Sequence, residues 1–240
     1  MPQTLDSPHA IPDDGKNHDF KPCDKAHSRG PCPGLNAMAN HGYLPRSGTN
    51  IGFFALKSGL QQVYNLSFPL AAFLSGVALA ACGRGFFFRT LDLEALGLHN
   101  KLEHDASLVH QDAAVGCPFA PKEVDQKLLQ QLLTYAAPGH GMTLDDFARV
   151  RHDREAQLQV PLTEQLEKNA CAEAVITWLV LKQEGSGEVP LGQLRQLYGE
   201  ERLPDGWKRP KKPIGLFEAL GLVKALIEKV AKLRDPWKQS

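Results

Sequence analysis

Pro31-Cys32-Pro33 lies within Arg29-Gly-Pro-Cys-Pro-Gly-Leu-Asn-Ala-Met-Ala-Asn-His-Gly-Tyr-Leu-Pro-Arg46, and this stretch sets the reading of the whole chain. Pro33 suits the first position of a helix, where a missing N–H costs nothing, and that makes Cys32 the N-cap residue. Its sulfur then faces the backbone amides of Gly34 and Leu35. Together with the helix dipole these favour thiolate over thiol. A stabilised thiolate is a metal ligand or a nucleophile; the plainer alternative is a small buried hydrophobe at a helix start.

The chain has 240 residues, with 27 Lys and Arg against 27 Asp and Glu, 42% apolar and 22% charged residues. That is the composition of a soluble globular protein, long enough to bury about 70–75% of its unfolded surface in one sizeable core. Nothing points to nucleic acid: the basic run Trp207-Lys-Arg-Pro-Lys-Lys212 is broken by proline and reads as a solvated loop. Leu66-Ser-Phe-Pro-Leu-Ala-Ala-Phe-Leu-Ser-Gly-Val-Ala-Leu-Ala-Ala-Cys82 carries no charge over 17 residues. It is short and only weakly apolar for a membrane span, so it reads as a buried helix in a core or against a flat ligand. The five cysteines (23, 32, 82, 117, 171) are too few and scattered for a disulfide framework, although a bridge among the four besides Cys32 stays open. The start Met1-Pro-Gln-Thr-Leu-Asp-Ser-Pro-His9 lacks the basic and apolar stretches of a secretory signal. The expectation is an intracellular chain or one whose signal is absent.

Residues 1–28, polar and aperiodic, are expected as an extended arm, and residues 29–240 as one all-α domain of about ten helices. The helices are expected near 33–40, 49–63, 67–82, 92–97, 103–109, 122–136, 143–149, 161–183, 190–197 and 215–233, with Gly, Asn, Asp and Pro between them. No alternating β-rich run competes.

Three places can carry chemistry. The first is Cys32. Cys117-Pro118 keeps open a haem sensor that uses Cys-Pro pairs, whereas Cys23, His27 and Cys32 lack a fourth partner for zinc. The second is Glu103-His104-Asp105-Ala106-Ser107: on a helix Glu103 and Ser107 share a face and offer hard oxygens to a cation such as magnesium, while Asp105 can fix the tautomer of His104. The third is Glu173, the only charge in Asn169-Ala-Cys-Ala-Glu-Ala-Val-Ile-Thr-Trp-Leu-Val-Leu181. An unpaired buried carboxylate suits proton transfer, and an exposed helix edge is the alternative.

Pro-Cys-Pro, then Glu-His-Asp-x-Ser, then a lone Glu in a small-residue helix together resemble the haem-thiolate peroxidases, the group of fungal chloroperoxidase and the unspecific peroxygenases. The spacings of 72 residues from Cys32 to His104 and 69 from His104 to Glu173 are similar to those of its short members. Leu98-His-Asn-Lys-Leu-Glu-His-Asp105, Arg149-Val-Arg-His-Asp-Arg154 and Glu201-Arg-Leu-Pro-Asp-Gly-Trp207 extend the likeness over roughly residues 20–212. It implies a chloroperoxidase-like fold around haem b, with Cys32 as proximal iron ligand and the amides of Gly34 and Leu35 facing its sulfur. It implies Glu173 as the acid–base carboxylate, oriented by His104 and Asp105, and reaction with hydrogen peroxide through a ferryl-oxo haem intermediate. It further implies Mg2+ or Mn2+ on Glu103, the His104 carbonyl, Ser107 and a haem propionate. The activity implied is hydroxylation or epoxidation of apolar small molecules, with halide oxidation of the chloroperoxidase kind as the alternative and a non-catalytic haem sensor or binding module behind both. Leu102, Ile176, Phe86, Phe87 and Phe88 are candidates for a substrate channel, as are Phe53, Phe54, Phe68 and Phe73. The protein is expected to be a monomer or homodimer without nucleic-acid or membrane partners; the resemblance implies secretion. Two departures stand out: His110 where relatives often carry Arg, and Cys171 where glycine is common, which places an oxidisable thiol near Glu173.

Overall fold

A computed structural model describes residues 11–85 and 89–234. The helix predicted after Cys32 forms as α1 (Pro33–Asn40), with Cys32 as an extended N-cap and proline at the first helical position. Strand β1 (Ile51–Gly52) leads into α2 (Phe53–Tyr64), and the uncharged stretch follows as α3 (Phe68–Cys82). The hydroxyl of Ser67 accepts from the Leu70 amide at the start of α3. Strand β2 (Thr90–Leu91) pairs antiparallel with β1, Ile51 opposite Leu91, and a 3₁₀ turn covers Leu93–Gly97. A long irregular segment then leads to α4 (Gln126–Leu133), α5 (Leu144–Glu155), α6 (Glu164–Leu181), α7 (Leu191–Leu194), a π turn over Arg195–Gly199 and α8 (Leu216–Arg234).

These elements start where the sequence supplies a cap. Asp125 accepts from the Lys127 and Leu128 amides, Thr143 and Asp146 form a reciprocal capping box, and Thr163 accepts from Leu166. The fold is all-α, with eight helices among the described residues rather than about ten, and two two-residue strands as its only sheet there. α8 lies across α5 and α6, and α2 packs on α3. No helix of the described residues is long and apolar enough to cross a membrane.

One expected helix does not form. Residues 101–110 are turns and bends, and Ala106 sits at φ +57°, outside the right-handed helical region. Local composition allows a helix here; tertiary hydrogen bonds to the loop's backbone decide otherwise. Smaller differences concern boundaries. The 92–97 segment is a 3₁₀ turn, α4 is shorter than 122–136, α5 runs on to Glu155, and 190–197 divides into α7 and the π turn. All five cysteines are free thiols.

Residues 11–28 hold no regular element, yet they are pinned to the end of α1. His18 stacks on Tyr43 with ring centroids 3.7 Å apart. The Nδ1 atoms of His18 and His41 each face the other residue's carbonyl, at 2.9 and 2.8 Å. His41 Nε2 accepts from the Leu203 amide at 3.2 Å, which joins a third segment to the same ring. The basic run is also engaged: Trp207 Nε1 donates to Val180 O, and Arg209 donates to the Gln61 and Gln62 carbonyls at the end of α2.

Burial, assisted by the Arg46 and Arg202 guanidiniums, lowers the pKa of His41 below its ordinary value. A depressed folded-state value gives stability that is complete above the unfolded histidine pKa of about 6.5 and is lost as pH falls below it. Chemical unfolding between pH 7.5 and 5 should therefore show stability declining below about pH 6.5. His41→Gln, which keeps an acceptor for Leu203, should show a shallower decline; an identical pH slope would exclude His41 as a contributor.

Candidate active site

Cys32 is half-buried at the head of α1, where no side-chain cap hydrogen bond forms but the amides of Leu35 and Gly34 lie close enough to favour its charged form. Burial nevertheless pushes its thiol pKa up, and the carboxylates of Glu173 and Glu201 add to that effect. The helix start alone therefore does not produce a free thiolate, contrary to the expectation from helix geometry. What the site presents is a sulfur with two amide donors and two opposing negative charges, an arrangement that a cation bound at the sulfur would relieve.

The loop around Cys32 is closely fitted. A Cβ on Gly30 would lie 2.1 Å from the Leu93 carbonyl oxygen, so this residue is glycine because another backbone occupies the space. Tyr64 donates its hydroxyl to Gly34 O at 2.7 Å, and its ring meets Trp207 edge-on. Arg29, buried, donates to Asn40 Oδ1 and to the carbonyls of Ser28 and Arg46.

Glu173 projects from α6 and accepts from the Ser107 hydroxyl at 3.1 Å and from the Leu108 amide at 3.3 Å. His104 Nε2 lies 3.8 Å from Glu173 Oε2, close enough for charge interaction but longer than a hydrogen bond. The other ring nitrogen of His104 faces the backbone carbonyl of Asp105 at 2.9 Å. It is thus the carbonyl of Asp105, not its carboxylate, that meets the ring; the carboxylate instead accepts from the Ala113 amide. Burial lowers the pKa of His104, the nearby Arg151 charge acts in the same direction, and Glu173 opposes both.

Glu103 and Ser107, expected on one helical face, point to different partners once that helix is absent. Glu103 lies 2.9 Å from His99 Nδ1, and His99, Glu103 and Asp105 each place a potential ligand atom within 4.8 Å of the others. Burial raises the pKa of Glu103, against the pull of His99. Ser107 turns to Glu173 and lies 3.2 Å from His110 Nδ1. Cys171 is fully buried, and burial raises its pKa to about 11. Leu102 and Ile176 are half-buried against the core, whereas Phe54, Phe68 and Phe73 are largely exposed. Phe86, Phe87 and Phe88 lie outside the described residues.

The residues that shape the loop were not assigned a role from sequence. Arg151, with no solvent exposure, donates to Ala106 O and to Glu155 Oε1. Arg154 donates to Ser107 O at 2.9 Å, to His110 O at 3.3 Å and to Asp112 Oδ1 at 3.1 Å. Asp112 in turn accepts from the Ala106 amide. A signal for them did exist: Phe147, Val150, Arg151 and Arg154 recur at helical spacing on the buried face of α5, which places two cations where apolar residues belong. Asn36 and Glu201, which meet at 2.6 Å across 165 residues, left no local signal.

A family described as Peroxidase, family 2 has a sequence model that matches residues 18–212. An aromatic peroxygenase of Coprinellus radians is 56% identical over 136 residues, covering 50% of this chain and 51% of that protein. The aromatic peroxidase fscJ of Fusarium equiseti is 27% identical over 265 aligned positions, covering 90% of this chain and 60% of its own length. A chloroperoxidase of Leptoxyphium fumago is 28% identical over 104 residues, 42% of this chain and 28% of that enzyme. The chain thus spans less than two thirds of each of these relatives.

Arg151→Met keeps most of the apolar volume and removes two charge-assisted hydrogen bonds. It should lower the unfolding free energy by about 3 kcal/mol and speed amide exchange within 105–112. Denaturant unfolding and hydrogen exchange measure both, and unchanged exchange in that loop would refute the clamp.

Proposed function

The chain belongs to peroxidase family 2, and on that premise we propose a hydrogen-peroxide-dependent haem-thiolate peroxygenase that hydroxylates or epoxidises apolar organic molecules. The observation that carries the reading is one cysteine at a helix start and one carboxylate on α6, near enough for their charges to oppose each other. The donor set suits haem b: Cys32 offers a soft sulfur to the iron, and the Gly34 and Leu35 amides moderate the charge on it. When bound, the haem supplies oxidation by peroxide, and thiolate donation favours O–O cleavage.

Glu173 would serve as general base and then general acid. A carboxylate oxygen takes a proton from hydrogen peroxide and returns it to the departing oxygen. The Ser107 hydroxyl and Leu108 amide hold the carboxylate in one orientation. His104 is a positioning residue. With burial favouring its neutral form and Nδ1 donating to Asp105 O, Nε2 is left as an acceptor toward Glu173 Oε2. The residues expected to hold magnesium or manganese do not assemble as a set, since Glu103 turns to His99 and Ser107 to Glu173. No step of the proposed reaction depends on such a cation.

The haem-loaded protein, given hydrogen peroxide and an aromatic or fatty-acid probe, should transfer peroxide oxygen into product. Halide oxidation without oxygen transfer would select the chloroperoxidase activity instead. Glu173→Gln should lower turnover by about 10²–10⁴-fold with haem retained, and full activity in that variant would refute the acid–base role. Cys32→Ala should abolish the red-shifted ferrous–CO band of a thiolate haem, whereas Cys117→Ala should keep it.

A further inference from the structure

Glu201 is held in an unusual way for a residue so far from either motif. Its backbone is left-handed, with φ +49°, a conformation that costs a non-glycine residue energy and persists only where its surroundings impose it. Its carbonyl accepts from Asn40 Nδ2 at 3.0 Å, and its carboxylate Oε1 accepts from Asn36 Nδ2 at 2.6 Å. Downstream, Arg202 is forked onto Asp205 at 2.7 and 2.8 Å, and Gln196 binds both the amide and the carboxylate of Asp205. The 196–205 segment is thereby fixed, and it delivers one carboxylate to the flank of α1.

Asn36 is the residue that receives it. Its Nδ2 also donates to Gly30 O at 2.6 Å, and its Oδ1 accepts from the Gly30 amide at 3.2 Å. One amide side chain therefore closes residues 30–36 into a ring that contains Cys32. Both Nδ2 hydrogens are used, one on Gly30 and one on Glu201, so a flipped amide would turn its oxygen toward a carboxylate and a carbonyl. Glu201 fixes the orientation of the amide that fixes the cysteine loop. Its carboxylate is thus held one hydrogen bond from the side chain that closes the cysteine loop. Burial raises the pKa of Glu201, and the Asn36 hydrogen bond and the Arg29 guanidinium favour its charged form.

We propose that Glu201 is a positioning residue for Cys32: through Asn36 it sets the loop that aims the sulfur, and its negative charge strengthens electron donation from an iron-bound thiolate. A fixed anion behind a thiolate ligand favours the more positively charged metal centre, and so stabilises ferric over ferrous iron. The inference rests on the reading of Cys32 as the haem ligand.

The test uses haem-loaded protein and two readouts, the ferrous–CO spectrum and the ferric/ferrous midpoint potential. Glu201→Gln retains an oxygen to accept from Asn36 and removes only the charge. It should keep the thiolate-type CO band and move the potential positive, by about threefold or more in the reduction equilibrium constant. An unchanged potential would overturn the electrostatic role, and so would an equal shift in Glu200→Gln, the exposed neighbour paired to Arg202. Asn36→Ala opens the ring while leaving Glu201 charged. It should convert part of the ferrous–CO complex to a form without thiolate ligation, and a wild-type spectrum would overturn the positioning role even if Glu201→Gln failed to load haem. Absence of the thiolate band in the wild-type protein would instead refute the haem-thiolate reading itself.

Discussion

A guanidinium with no access to solvent, that of Arg151, is the interaction on which the 105–110 loop beside Glu173 depends. Burying such a charge is costly unless it is paired, and here the two terminal nitrogens meet the Ala106 carbonyl and the Glu155 carboxylate, while Nε has no hydrogen-bond partner among the described residues. Ala106 also has a left-handed backbone, so the cation is placed where the chain departs from a helix. Arg154, one turn along, takes the carbonyls of Ser107 and His110. Without these donors the backbone of 105–110 would lack partners in a buried setting, and the segment could not present Ser107 and Leu108 to Glu173.

The segment leading into α1 solves the same physical problem with different side chains. Residues 28–32 are irregular and tightly packed, and Arg29 together with Asn36 and Asn40 of α1 supplies hydrogen bonds that a helix or sheet would otherwise provide. On both sides the functional group sits on or beside regular structure, Cys32 at the head of α1 and Glu173 within α6, while the irregular chain around it is held by long polar side chains. Tyr198, in the π turn just before Glu201, bonds Thr177 of α6 and so links the two elements.

The electrostatics are of one sign. Glu173 and Glu201 both oppose a thiolate at Cys32, and burial acts with them. The amides of Gly34 and Leu35 are a partial counterweight. An opposite charge placed at the sulfur would relieve this arrangement.

Much of the helical framework was legible in the sequence, because caps and punctuation act locally. Pro33 after Cys32, Ser67, Asp125, the Thr143–Asp146 box and Thr163 each start a helix for reasons contained within four residues. The 103–109 segment misled because its composition permits a helix and the groups that forbid it, Arg151 and Arg154, lie more than forty residues away. The sequence alone determined the fold class, the helix head under Cys32 and, through its resemblance, the residues to examine. Only the tertiary structure decided that Ser107 bonds Glu173, that Asp105 meets His104 through its carbonyl, and that Glu201 reaches Asn36. The reason is physical: a cap is satisfied by neighbours in the chain, whereas a buried backbone group in an irregular loop accepts whichever distant side chain the packing brings to it.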